Sequence, residues 1–309
     1  MTDTAVPTTA APPGAPAQKP LHTSEPVDIV CADGVRLRGH FFGAAAGVPQ
    51  PLPVLISPAT GVRQEFYGQF ADWLARAGYH VLVFDYRGVG QSLHGPLAQC
   101  DAQLAHWGQR DQVAALQWLL ARSQAPQALL VGHSAGGQML GLLPNHAQVA
   151  RLVGVATSTG WFGGMRPGFA LKARLSLRVL LPLATRWLGY APTARIGLGE
   201  NLPAAVARQW GQWCAEGGYA TNAVRGRPAQ DFHAQVRTPV TVLYATDDDI
   251  ATPATVHDLL RTWPAAPHQA VAVRPADHGL RSIGHIHWFR PSHRVLWPLI
   301  GAALRGETA

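Results

Sequence analysis

Five residues, Gly132-His133-Ser134-Ala135-Gly136, follow an apolar run at 128–131 and precede a stretch able to continue as helix. A glycine on each side of a short turn lets a strand and a helix approach more closely than any side chain would permit. The serine between them is held in a strained backbone conformation and stands exposed at the tip of the turn. A helix starting directly behind it aims backbone N–H groups and the positive end of its dipole at that hydroxyl. Small residues around a serine also occur in ordinary turns; the strand before and the helix after make this one a strand-turn-helix unit and Ser134 a candidate nucleophile.

Around this unit, strand and helix signals alternate in the way that predicts a mostly parallel sheet. Residues 27–31 and 35–42, joined through Asp33-Gly34, read as an opening hairpin. A short apolar strand at 54–57 is followed by a helix over 66–77 that ends at Gly78. The next strand, 80–84, finishes in Asp85-Tyr86-Arg87-Gly88-Val89-Gly90-Gln91-Ser92. Residues 107–122 carry Val113, Leu116, Leu119 and Leu120 at helical spacing. After the turn come a helix stopped near Pro144, strands at 152–156, 240–245 and 270–273, and a terminal helix at 295–304.

Between 157 and 237 the rhythm breaks. This segment has helical stretches rich in Gly, Pro, Trp and Arg, and no convincing strand. An insertion of that size between two core strands reads as a helical cap over the sheet edge where open α/β sheets bind ligands. Arg174, Arg178 and Arg186 stud an apolar stretch at 171–188, the composition of a surface-lying membrane helix; Pro182 and the shortness of the apolar runs argue against that use.

With 309 residues, the chain reads as a disordered Ala/Pro/Thr-rich tail at 1–22 and one domain at 23–309, with 157–237 inserted in it. The tail has no basic start and no apolar run long enough for a secretory signal. The longest stretch free of Asp, Glu, Lys and Arg, 123–150, carries two His and two Pro and reads as buried strand-turn-helix, not as a membrane span. Cys31, Cys100 and Cys214 are odd in number and far apart, which points to reduced thiols and a cytoplasmic location. The net charge of +7 is almost all arginine, without a dense basic run or interleaved aromatics, so nucleic acid is not an expected partner.

A serine hydroxyl is a poor nucleophile near neutral pH and needs a general base, usually histidine, oriented by a carboxylate. Asp247, Asp248 and Asp249 directly follow the strand at 240–245. Adjacent carboxylates repel one another, so they cannot all face one site, and capping the helix that starts near Pro253 is an alternative use for them. Two histidines follow the last strand. His278 is closer to it, in Pro275-Ala276-Asp277-His278-Gly279. His285 has Gly284 beside it, permitting close backbone approach, and bulky apolar neighbours able to exclude water. His287 faces the other way if the segment is extended. His133 adjoins the serine but points away from it and reads as a packed core histidine.

A tetrahedral oxyanion needs two waiting N–H donors, and losing one costs about a hundred- to a thousandfold in rate. Ala135, following the serine, supplies one. The loop Pro58-Ala59-Thr60-Gly61 after the strand at 54–57 supplies the other; proline has no N–H, which leaves Ala59 first and Thr60 second.

These motifs resemble the α/β-hydrolase superfamily over about residues 27–304. The resemblance is strongest to its serine-aminopeptidase or monoacylglycerol-lipase-like branch. More narrowly, the chain is similar to a group of bacterial predicted hydrolases of unassigned substrate. That similarity rests on Gly189-Tyr190-Ala191-Pro192, Asn201-Leu202-Pro203, Gln209-Trp210, Trp213-Cys214, Gly284-His285-Ile286-His287-Trp288-Phe289-Arg290-Pro291 and Leu296-Trp297-Pro298. It implies an α/β-hydrolase fold: a mostly parallel eight-stranded sheet flanked by helices, with a helical cap between strands 6 and 7. It also implies the chain order serine, acid, histidine. In related hydrolases the acid precedes an Ile/Val-x-Pro-like turn at the spacing of Asp248, with Asp249 and Asp247 next in line. The recurring Gly-His-x-x-aromatic motif favours His285 over His278. One departure stands out: where the superfamily often has His-Gly after the third strand, this chain has Ser57-Pro58.

The expectation is a serine hydrolase cleaving a carboxylic ester, secondarily an amide, of a small to medium apolar acyl group. Ser134, His285 and Asp248 would form the triad, and Ala135 and Ala59 the oxyanion hole. No metal or organic cofactor is expected, and the partner is a small-molecule ester or amide. An acyltransferase built on the same nucleophile is one alternative, and a non-catalytic hydrolase-shaped binding protein another. Trp161, Trp187, Trp210 and Trp213 either line an acyl pocket or pack the cap.

Overall fold

In the computed structural model, which describes residues 24–46 and 51–307, β1 (Ser24–Val30) and β2 (Arg36–Phe42) pair antiparallel in the expected hairpin. The tail expected at 1–22 lies outside the described residues. β3 (Val54–Ser57), β4 (Val81–Phe84) and β5 (Ala128–His133) are buried at every position. That is why they read as unbroken apolar runs: a parallel strand covered by helices on both faces has no solvent side to write in polar residues. Each buried Val, Leu or Ile in them contributes roughly 1.5–3 kcal/mol relative to exposure. β6 (Val149–Val155) follows. β7 (Tyr190–Ala191) and β8 (Leu202–Pro203) form a small separate antiparallel pair, and β9 (Val240–Ala245) and β10 (His268–Val273) complete the main sheet.

The main sheet among the described residues has eight strands in the order β1-β2-β4-β3-β5-β6-β9-β10. All pairings from β4 onward are parallel, and β2 joins β4 antiparallel. Helices Gly68–Arg76, Val113–Ser123, Pro253–Leu260 and Trp297–Arg305 flank it.

Three differences from the sequence reading are local. The helix expected from the serine turn to Pro144 is only Ala135–Gln138, followed by a 3-10 turn at Leu140–Leu142. Gly136, Gly137 and Gly141 are poor helix formers at about 1 kcal/mol each relative to alanine, which shortens it. The helix expected over 107–122 opens as a π-helical turn, Trp107–Gln112. The inserted segment, expected to hold no strand, contains the two-residue pair β7 and β8.

Between β6 and β9 the chain is helical backbone from 167 to 188: Pro167–Leu175, a π-turn at Ser176–Leu180, and Leu181–Leu188. Pro182 does not break it. It sits in the first turn of Leu181–Leu188 directly after the widened turn, where a missing N–H and a bulky ring are accommodated. Helix Ala204–Trp213 packs beneath this run, with Gly211 against the Leu177 carbonyl.

Candidate active site

β5 delivers its last residues into a sharp turn. Ser134 takes φ 48° and ψ −116°, a conformation costing about 1–3 kcal/mol that the surroundings must enforce. Its N–H donates to the Val155 carbonyl at 3.0 Å, and the Gly137 N–H donates to the Ser134 carbonyl at 3.1 Å. A side chain on Gly132 would collide with the backbone of Gly137, and one on Gly136 with the carbonyl of Ser57. The two glycines are therefore what lets β5, the following helix and β3 meet.

The structure brings Ser134, His285 and Asp248 together from three parts of the chain. His285 Nε2 lies 2.9 Å from Ser134 Oγ, and His285 Nδ1 lies 2.8 Å from Asp248 Oδ2. Asp248 is buried, while Ser134 and His285 are partly exposed. The other carboxylate oxygen, Oδ1, accepts from the N–H groups of Ile250 at 2.7 Å and Ala251 at 3.0 Å. Burial alone would raise this carboxyl. The nearby charge and hydrogen bond of His285 and the two backbone donors outweigh it and hold the carboxyl below its ordinary value. With the acid ionised, the imidazole keeps its proton on Nδ1 and presents an unprotonated Nε2 to the serine hydroxyl.

The neighbouring aspartates do other work. Asp247 accepts from the Ile283 N–H at 2.9 Å and the Gly284 N–H at 3.1 Å, pinning the loop that carries His285. Asp249 is half exposed and pairs with Arg166 at 3.3 Å. His278 ends the 3-10 turn Pro275–His278 and bonds to neither Ser134 nor Asp248. The His287 ring lies 5.1 Å from that of His293.

The amide donors differ from expectation at one position. The Ala135 N–H has no acceptor among the described residues. The Ala59 N–H, expected as its counterpart, is engaged: it donates to Tyr67 Oη at 2.9 Å. The Thr60 N–H, one residue on, is without an acceptor among the described residues. The sequence pattern could not reveal this, because Tyr67 lies in the next helical turn and reads as an ordinary apolar position.

His133 is the buried core histidine expected, and Tyr67 gives it a specific hydrogen-bonding role as well. Tyr67 Oη is 2.7 Å from His133 Nδ1, and His133 Nε2 is 2.9 Å from the carbonyl oxygen of His285. Complete burial, then the adjacent His285, lowers His133 to a pKa of about 3, so its ring is neutral. A carbonyl only accepts, so Nε2 carries the proton and Nδ1 accepts from the tyrosine, whose oxygen accepts from Ala59. One proton arrangement satisfies a buried chain running from the loop after β3 to the backbone of His285. Phe289 closes it on one side, with its ring 5.0 Å from Tyr67 and 5.1 Å from His133.

The motif Asp85 to Ser92 is scaffold. The buried Asp85 carboxylate accepts from Gln64 N–H at 2.8 Å, Gln64 Nε2 at 3.0 Å and Gln91 N–H at 2.9 Å, anchoring the end of the loop after β3. Arg87 pairs with Asp111 at 2.6 Å and with Asp33 at 2.7 Å. Of the four tryptophans singled out, Trp213 is buried against Tyr219, while Trp187 is 86% exposed. Among the described residues no group of three or more His, Cys, Asp or Glu side chains is placed to hold a metal ion. No helix among them is long and apolar enough to cross a membrane.

A family model described as the alpha/beta hydrolase family matches residues 54–296. No curated protein matches the chain. Among solved structures, a soluble variant of monoglyceride lipase from Saccharomyces cerevisiae, bound to a substrate analogue, is similar at a TM-score of 0.67 and 16% identity, covering 96% of this chain and 99% of that one. A thermophilic esterase from Thermogutta terrifontis is similar at 0.56 and 19% identity, covering 92% and 100%. An esterase from Pyrococcus furiosus is similar at 0.57 and 14% identity, covering 92% and 91%.

Proposed function

The chain belongs to the alpha/beta hydrolase family, and from that premise we propose that it is a serine hydrolase cleaving carboxylic esters, secondarily amides, of small to medium apolar acyl groups. The observation that carries this reading is the line Ser134 Oγ, His285 Nε2, His285 Nδ1, Asp248 Oδ2, with contacts of 2.9 and 2.8 Å. In this reading Ser134 Oγ attacks the acyl carbon while His285 Nε2 takes its proton. Asp248 stabilises the imidazolium, and collapse of the tetrahedral intermediate expels the alcohol, which His285 protonates. Water, deprotonated by the same imidazole, then releases the acid from the acyl-enzyme. The oxyanion would be held by the Ala135 N–H and, since Ala59 is engaged by Tyr67, by the Thr60 N–H.

We read residues 157–237 as a cap for a topological reason. The segment leaves the sheet after β6, and its Glu200 N–H donates to the Gly61 carbonyl, in the loop after β3, at 2.8 Å. Arg63 pairs with Glu200 at 3.2 Å beside it. Since β5 lies between β3 and β6, a segment joined to both passes over the end of β5 that carries Ser134. A cytoplasmic setting suits the three free thiols.

The test is hydrolysis of a series of p-nitrophenyl esters of increasing acyl length by wild type and Ser134→Ala. Saturable turnover by wild type that is lost in Ser134→Ala is expected; equal turnover by both would refute the assignment. Running the series with added alcohol acceptors separates hydrolysis from acyl transfer, and turnover of no ester by a folded protein would favour a binding role.

A further inference from the structure

Among the described residues, most of the exposed large apolar side chains lie along one helical run. Among the described residues, only Val30 and Val295 fall outside 171–196. On the run at 167–188, Leu171 is 70% exposed, Leu183 56% and Trp187 86%, with Leu175, Val179 and Leu180 exposed beside them. Leu177 and Leu181 are buried, so the run already has an inner face toward helix Ala204–Trp213 and carries a second apolar face outward. Twenty-odd helical residues make a rod about 30 Å long. A row of exposed apolar side chains of that length on a water-facing helical run marks an interaction surface.

The charges around it select the occupant. Residues 161–199 contain Arg166, Lys172, Arg174, Arg178, Arg186 and Arg195, and no Asp or Glu. Lys172, Arg174, Arg178 and Arg186 are exposed and form no ion pair among the described residues. Arg174 lies over the Phe162 ring at 5.8 Å, at a surface groove of about 500 Å³ that Leu171, Leu175 and Arg178 also line. A second copy of this face would set cations against cations, which disfavours self-pairing. A protein partner would need an apolar stripe edged with carboxylates. An anionic bilayer offers apolar depth and negative headgroups at once, and a helix with Leu, Trp and Arg or Lys so arranged lies at that boundary.

We propose that 167–188 docks the protein on anionic phospholipid membranes, with Leu171, Leu175, Leu183 and Trp187 entering the acyl-headgroup boundary and Lys172, Arg174, Arg178 and Arg186 meeting phosphates. Docking lays a segment joined to the sheet edge that holds Ser134 against the bilayer.

The test is flotation of the full chain with vesicles of phosphatidylcholine alone and with about 30% phosphatidylglycerol. Wild type is expected to float with the anionic vesicles at least about tenfold better than with neutral ones, and to be released by about 0.5 M salt. The double variant Leu183→Ser/Trp187→Ser and the double variant Arg174→Glu/Arg178→Glu should each lose about tenfold or more of this binding. Both should hydrolyse water-soluble p-nitrophenyl esters as wild type does, which shows that they fold and keeps this result separate from that of the catalytic reading. Were that reading to fail, a thermal melt matching wild type would serve as the folding control. Absence of wild-type binding to anionic vesicles would overturn the proposal. So would a wild-type dimer in sedimentation equilibrium that the Leu183→Ser/Trp187→Ser change dissociates, since the face would then belong to a second copy.

Discussion

The edge of the sheet around Ser134 and the helical run at 167–188 are built on opposite rules. At the sheet edge, polar groups are buried or partly buried and each is held by named partners: Asp248 by His285, Ile250 and Ala251, Asp247 by Ile283 and Gly284, and His133 by Tyr67 and the His285 carbonyl. On the helical run, apolar groups are exposed and the cations beside them have no carboxylate partner among the described residues. Burying a polar group is tolerable only when it is hydrogen-bonded, so the first region is intolerant of change and rigid by construction. Leaving Leu and Trp in water forfeits burial energy the fold could have used, which marks the second region as the surface proposed to dock. Chemistry is expected to depend on the first region and attachment on the second.

The sharpest way to break this contrast is Asp248→Asn. It keeps the shape and removes the charge that fixes the imidazole tautomer, so turnover of a soluble ester should fall on the order of ten-thousandfold with little change in KM. A loss under about tenfold would mean that the buried network does not govern the chemistry.

Tyr67→Phe tests the longer reach of that network. It strands the Ala59 N–H and the His133 Nδ1, costing about 1–3 kcal/mol of stability, and it loosens the backbone that carries His285. A fall in kcat of about tenfold is expected, with KM held. Loss of stability with unchanged kcat would reduce the tyrosine to packing.

The smallest effect is on pH dependence. His133 is held neutral, its pKa lowered from 6.5 to about 3. Between those values the unfolded chain binds a proton here that the folded chain does not, so this residue's contribution is complete above pH 6.5 and is lost as pH falls toward 3. His133→Gln should therefore flatten the fall of the melting temperature across that window, whatever it does to the value at neutral pH. A slope equal to that of wild type would show that His133 is protonated in the folded state.

What could be read from the sequence follows the same division. β3 and β9 lie at the bounds expected, because a strand buried at every position, as β3 is, or at all but Tyr244, as β9 is, leaves a largely apolar run. The turn at Ser134 was visible because glycine is required on both sides by backbone contacts only five residues apart or fewer, or by one neighbouring strand. Asp248 and His285 could be ranked but not separated from Asp247 and His278 by spacing alone, since which of them meets depends on loop paths closed only in three dimensions. Tyr67 was invisible for the same reason: its partners, Ala59, His133 and through it His285, come from the loop after β3, the end of β5 and the loop after β10. Pro182, taken in the sequence as an argument against a surface-lying membrane helix, falls inside a continuous helical run because it follows a π-turn, which has no sequence signature.

The most direct measurement is fluorophosphonate labelling, read by intact mass, on wild type, Ser134→Ala, His285→Ala and His278→Ala. One adduct on wild type is expected, none on Ser134→Ala, strongly slowed labelling of His285→Ala and wild-type labelling of His278→Ala. An adduct that persists in Ser134→Ala, or labelling that depends on His278 and not on His285, would contradict the account.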